Sequence, residues 1–141
     1  MITKKCVYLV PSFEDEGEWD EDDWIVYPGR VVAGVLSDIL QALGCEVEPI
    51  YSEGEKGWEF NFTYQRVAMW SRVGPIEDFL IVLCATGWLD LGGRKKRVFE
   101  RLDDVLHKDG RFSNIRWYTQ KQMDTGQWDY PGKDEAKRPG A

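Results

Sequence analysis

Apolar residues recur along this chain at two different periods, and each period predicts its own kind of element. In residues 31–43, Val32, Val35, Leu36, Ile39, Leu40 and Leu43 follow steps of three and four, with Val31 beside them. That spacing predicts an amphipathic helix started by Pro28-Gly29 and ended by Gly44 in the left-handed conformation. A second helix is predicted over 94–107, where Val98, Leu102, Val105 and Leu106 face one side, Phe99 lies at the edge, and Asp109-Gly110 closes the run. Residues 58–64 change to a period of two: Trp58, Phe60, Phe62 and Tyr64 alternate with Glu59, Asn61 and Thr63. With Gln65-Arg66 as a turn, residues 67–73 become the partner strand of a hairpin that Gly74-Pro75 should stop. Residues 79–84 are continuously apolar, which predicts a strand in the centre of a sheet.

Three further strands complete the pattern. Residues 5–10 are β-branched and aromatic and are closed by Pro11, residues 45–51 follow the first helix directly, and residues 112–118 set Ile115 and Trp117 against Arg116. Residues 52–57 and 85–93 are predicted as loops. The order β-α-β-β-β-β-α-β puts four strands in succession between two helices. This predicts an α+β fold: a two-layer sandwich with a mostly antiparallel sheet and both helices on one face. Residues 1–120 form the single domain, and 121–141, rich in Pro, Gly, Lys, Asp and Glu, are expected to be an extended, disordered tail.

Length agrees with one domain, at 141 residues. The longest uncharged apolar run, residues 79–85, falls far short of the roughly 20 residues that cross a bilayer. The apolar run at 6–10 is shorter than the core of a secretion signal, so a cytoplasmic location with no membrane partner is expected. Charge changes the picture more. The formal net charge is −7, which argues against nucleic acid as a partner. Eight of the ten residues at 14–23 are acidic, which leaves 17 acids against 18 bases elsewhere. All of the net negative charge therefore comes from one segment, expected to be a loop.

That segment holds Glu14, Asp15, Glu16, Glu18, Trp19, Asp20, Glu21, Asp22, Asp23 and, just after it, Trp24. Closely packed carboxylates repel one another, and a basic partner relieves the repulsion. Large aromatics inside a charged rim suit a binding anchor better than plain solvation. A calcium loop does not fit: counted from Asp15, position six is Asp20 where glycine is needed, and position twelve is Val26 where glutamate is needed.

Other chemistry is sparse. The cysteines Cys6, Cys45 and Cys84 lie in or beside apolar runs without C-x-x-C spacing, as expected of buried thiols in a reducing compartment. The only histidine, His107, stands near a helix end, where it favours the negative pole of the dipole; two-histidine metal sites are excluded. Arg94, Lys95, Lys96 and Arg97, joined by Arg101, form a basic helix start. It is either solvated, an internal partner for the acidic segment, or a contact for phosphate or nucleic acid. Glu59 among aromatics could belong to a carboxylate pair but reads more simply as a solvent-face residue. Of seven tryptophans, Trp58, Trp70 and Trp117 fall in strands where core packing explains them, and Trp19, Trp24, Trp88 and Trp128 fall in loops. No P-loop and no G-x-S-x-G motif occurs, so neither a catalytic residue, a metal nor a cofactor is expected.

Size, the acid-rich segment with its tryptophans, and the α+β meander together resemble the small immunity proteins of bacterial toxin competition systems. The stretch Gly57-Trp58-Glu59-Phe60-Asn61-Phe62-Thr63-Tyr64 looks like the central strand of bacterial domains of this kind. The resemblance implies a non-enzymatic protein that binds and blocks a cognate toxin, with specificity in surface loops; it assigns no role to an individual residue. The alternatives from other classes are a small enzyme or ligand binder with a pocket between the sheet and residues 85–93, phosphate or nucleic-acid contact through the basic helix start, and a DNA mimic.

Overall fold

The computed structural model describes residues 3–15, 17–20, 23–75, 79–85, 93–119, 121–122 and 125–126. Nine strands and two α-helices are present among them: β1 (Thr3–Pro11), β2 (Glu18–Asp20), β3 (Asp23–Val26), α1 (Arg30–Ala42), β4 (Glu46–Val47), β5 (Tyr51–Ser52), β6 (Trp58–Tyr64), β7 (Val67–Pro75), β8 (Phe79–Ala85), α2 (Arg94–Asp109) and β9 (Phe112–Thr119). The chain is an α+β protein. Its main sheet has seven strands in the order β4-β6-β7-β8-β1-β9, with β5 also paired to β6. Every pairing is antiparallel.

The meander β6-β7-β8 follows from short connections between consecutive strands. β1 does not extend it at random: it inserts between β8 and β9, with Val7 opposite both Ile81 and Trp117. One buried cluster joins Val32, Leu36, Ile39 and Leu40 of α1 and Val98, Phe99, Leu102 and Leu106 of α2 to alternate sheet positions, among them Val7, Leu9, Phe60, Phe62, Met69, Val73, Ile81 and Leu83. The helical steps of three and four and the strand period of two thus meet in one core. Cys6 and Tyr8, which point the other way from Val7 and Leu9, are also only 1% exposed. β1 is therefore buried on both faces, which accounts for its unbroken apolar run.

Several expectations need correction. Residues 14–23 hold more than a loop: β2 and β3 pair as a separate two-stranded sheet, with Trp19 opposite Trp24 and Asp20 opposite Asp23. Residues 45–51 do not form one strand. Glu48 donates its N–H to the Asn61 carbonyl at 2.9 Å, but Pro49 has none to give, so the edge breaks into β4 and β5. In the predicted loop 52–57, residues Gly54–Lys56 make one turn of 3-10 helix. β7 continues through Gly74 to Pro75, which stands opposite Phe79 at the strand's last position, where a missing N–H is tolerated. Glu59 is not a solvent-face residue, being only 4% exposed. Trp58 and Trp117 pack against the core from its margin and are not in it, and Trp70 is half-buried.

The turn between β6 and β7 is tight. Gln65 and Arg66 both have positive φ, 46° and 73°. That two-residue geometry matches the twist of the paired strands, here without the usual glycine. Beyond β9, Thr119 and Gln122 exchange bonds: Thr119 N–H donates to Gln122 Oε1 (2.9 Å) and Gln122 N–H to Thr119 Oγ1 (3.2 Å). This is the reciprocal pattern of a helix-starting capping box. Thr125 N–H then donates to the Lys121 carbonyl at 3.0 Å. Most of the expected tail, residues 127–141 included, lies outside the described residues. Among the described residues, no helix is long and apolar enough to cross a membrane.

Candidate functional site

The acidic segment is fastened to the domain at its start. Asp15 places one carboxylate oxygen 3.0 Å from the Val31 N–H and the other 2.8 Å from the Val32 N–H. These are first-turn amides of α1, whose own N-cap, Gly29, has no side chain to offer and whose first turn carries no acid. Asp15 thus supplies from 16 residues upstream the acceptor and the negative charge that a helix N-terminus favours. Its carboxylate is engaged within the chain, a role that local spacing does not reveal. Replacing Asp15 with alanine is expected to cost about 1–2 kcal/mol, as the loss of a strong N-cap does. A thermal melt unchanged by Asp15→Ala would show that the link carries no weight.

Beyond this anchor, Glu14 is exposed, and the backbone carries Glu18, Trp19 and Asp20 on β2 and Asp23 and Trp24 on β3. Glu16, Glu21 and Asp22 lie outside the described residues. The chain leaving β3 is pinned as well. Trp58 Nε1 donates to the Tyr27 carbonyl at 3.0 Å, and the Arg30 guanidinium lies 5.9 Å from the Trp58 ring centre. The hairpin is therefore tied down at both ends, by Asp15 before it and by the Tyr27–Trp58 contact after it.

The basic start of α2 is used partly inside the fold. Arg94 Nη1 donates to the Gln65 carbonyl at 2.8 Å, and Arg101 Nη1 to the Tyr64 hydroxyl at 3.3 Å. Both arginines hold the β6–β7 turn, and this offsets the placement of cations at a helix N-terminus, which the dipole disfavours. Lys96 lies 3.9 Å from Glu100 across one helical turn.

A second polar group lies on the sheet face opposite the Phe60–Phe62 side. Arg72 donates through Nη2 to Glu59 Oε1 at 3.1 Å and through Nε to the same oxygen at 3.3 Å. The Arg72 guanidinium also sits 5.1 Å from the Trp70 ring centre. Tyr51, exposed and opposite Glu59 in the register, has its phenol pushed up, first by desolvation and then by the charges of Glu59 and Glu53.

Two further reactive side chains are Cys45 and His107. Burial pushes the Cys45 thiol up to about 11, the wrong direction for a nucleophile at neutral pH. His107 Nδ1 is 3.0 Å from Asp103 Oδ1, an i,i+4 contact near the C-terminus of α2. Among the described residues, no group of three or more His, Cys, Asp or Glu could hold a metal ion. The loop expected to border a ligand pocket, with Trp88, lies outside the described residues from 86 to 92, as does Trp128. No protein-family model and no curated protein sequence matches this chain.

Proposed function

We propose that this chain is a non-enzymatic, immunity-type protein of the cytoplasm that binds a basic toxin domain through the hairpin β2–β3 and so covers the toxin's active surface. One observation carries the reading: eight carboxylates crowd residues 14–23, and the segment is built as a hairpin anchored by Asp15 on the N-terminus of α1. Anchoring lowers the ordering cost of binding, because the charged strands are already formed before the partner arrives. Glu14, Glu16, Glu18, Asp20, Glu21, Asp22 and Asp23 steer a basic partner by long-range attraction. Trp19 and Trp24 then supply the apolar contact that slows dissociation.

The test keeps Asp15, whose loss would disturb the fold, and neutralises the other seven acids by Glu→Gln and Asp→Asn changes. Cross-linked capture from the native host is expected to retain a basic protein on the wild type and to lose it on the variant. With that protein purified, the association rate should fall about 10-fold at low ionic strength and much less at high salt. Retention of the same basic protein by both forms, with the same salt dependence, overturns the reading.

A further inference from the structure

Away from the hairpin, α2 and β9 form an open groove of about 260 Å³ lined by Phe99, Glu100, Asp103 and Trp117. Phe99, Glu100 and Asp103 fall within one helical turn and so share the side of α2 that meets β9. Trp117 forms the opposite wall, with its ring centre 6.3 Å from that of Phe99 and the planes inclined at 48°. Its indole N–H donates to Asp103 Oδ1 at 2.6 Å, which fixes the ring in place. Glu100 and Asp103 remain accessible, with side chains 67% and 42% exposed.

An aromatic wall beside two carboxylates is selective by charge. An anion is repelled, and a neutral apolar group would strip water from the carboxylates without replacing it. A cation gains both from the electron-rich ring face and from the acids. Among cations, the guanidinium group is planar, weakly hydrated and forked, so it can lie along an indole while donating to a carboxylate. The contacts that Lys96 and His107 make with these acids leave room for this. Lys96 reaches Glu100 only at 3.9 Å with both side chains exposed, a contact worth little, and His107 approaches Asp103 through the oxygen that Trp117 already holds.

We propose that this groove takes an arginine side chain from a basic polypeptide. The site goes beyond the hairpin reading and does not depend on it, since it is made by other elements. The test follows the ¹⁵N-labelled indole signal of Trp117 in the full chain, assigned by its loss in Trp117→Phe. N-acetyl-arginine amide is expected to move that signal saturably, and N-acetyl-citrulline amide, uncharged but of the same shape, to bind at least about 5-fold more weakly. Glu100→Gln, a change at an exposed position, should weaken the arginine response by about 3-fold or more while leaving the other indole signals in place. No saturable movement, equal responses to arginine and citrulline, or a response to spermidine but not to the arginine amide each overturn the proposal. The seven-acid hairpin variant should keep the Trp117 response. Failure at the groove is thus separable from failure at the hairpin.

Discussion

Replacing Gly57 with alanine is expected to destabilise the protein by about 4 kcal/mol and to lower its melting temperature by about 10 °C or more. Gly57 has φ 114° and ψ −150°, a region that side-chain-bearing residues essentially do not adopt. Backbone strain alone accounts for about 1–3 kcal/mol of the cost. The rest comes from contact. A Cβ at Gly57 would meet the Val73 carbonyl oxygen, Val73 C at 2.9 Å and Gly74 Cα at 3.0 Å, all of them backbone atoms that cannot rotate aside. Accommodating it means prising β6 from β7 at the Trp58–Val73 pair, next to the contact that holds the chain entering α1. Gly44→Ala is the matched control. Gly44 also has positive φ, 98°, but a Cβ there would meet nothing within 4 Å, so only about 1 kcal/mol is expected. Equal melting temperatures for the two variants would refute the close approach of β7 to Gly57.

The second large effect is expected at Arg72. Arg72→Met should cost about 2–3 kcal/mol, measured by denaturant unfolding. The Glu59 side chain is 5% exposed and that of Arg72 is 32% exposed. Removing the guanidinium leaves a carboxylate buried without its counter-charge, and stranding one partner is what makes such pairs costly to break. The figure lies below that of a fully enclosed pair because Arg72 reaches water. Glu59→Gln alone should cost about 1 kcal/mol, since an amide is cheaper to bury than an unpaired charge. The double variant Glu59→Gln/Arg72→Met should therefore be more stable than Arg72→Met, with a coupling above about 1 kcal/mol in the cycle. Additive costs would mean that the pair is only a surface contact.

The contrast between these residues shows where local pattern carries information. α1 was legible because Val32, Leu36, Ile39 and Leu40 repeat at helical steps, and all four are buried. The β6–β7 hairpin was legible because Phe60, Phe62 and Tyr64 alternate with polar residues and two turn residues follow. The hairpin β2–β3 was not, because its strands are only three and four residues long and overlap a run of acids, too short for an apolar period to show. The carboxylate of Asp15 binds amides 16 and 17 residues away, and Glu59 is satisfied by an arginine 13 residues away. The register about Gln65-Arg66 does put Glu59 opposite Arg72, but the Asp15 partners are out of reach of a periodicity argument. The same holds for the groove: Trp117 read as a core residue because its bond to Asp103 spans 14 residues, from helix to strand. The acidic cluster itself was plain in the composition, but what fastens it to the domain was not.

The place of β1 has a consequence for how the protein comes into being. β1 lies between β8 and β9, with Lys5 opposite both Leu83 and Thr119. β1 is therefore completed by a strand more than 100 residues further along the chain. Until residues 112–119 have emerged, one long edge of an apolar ribbon is left without its neighbour, open to pairing with another nascent chain. Such distant pairings slow folding, since the long loop must close before the contacts form. β1 is thus the strand whose pairing waits longest, and the sheet closes only when β9 reaches it.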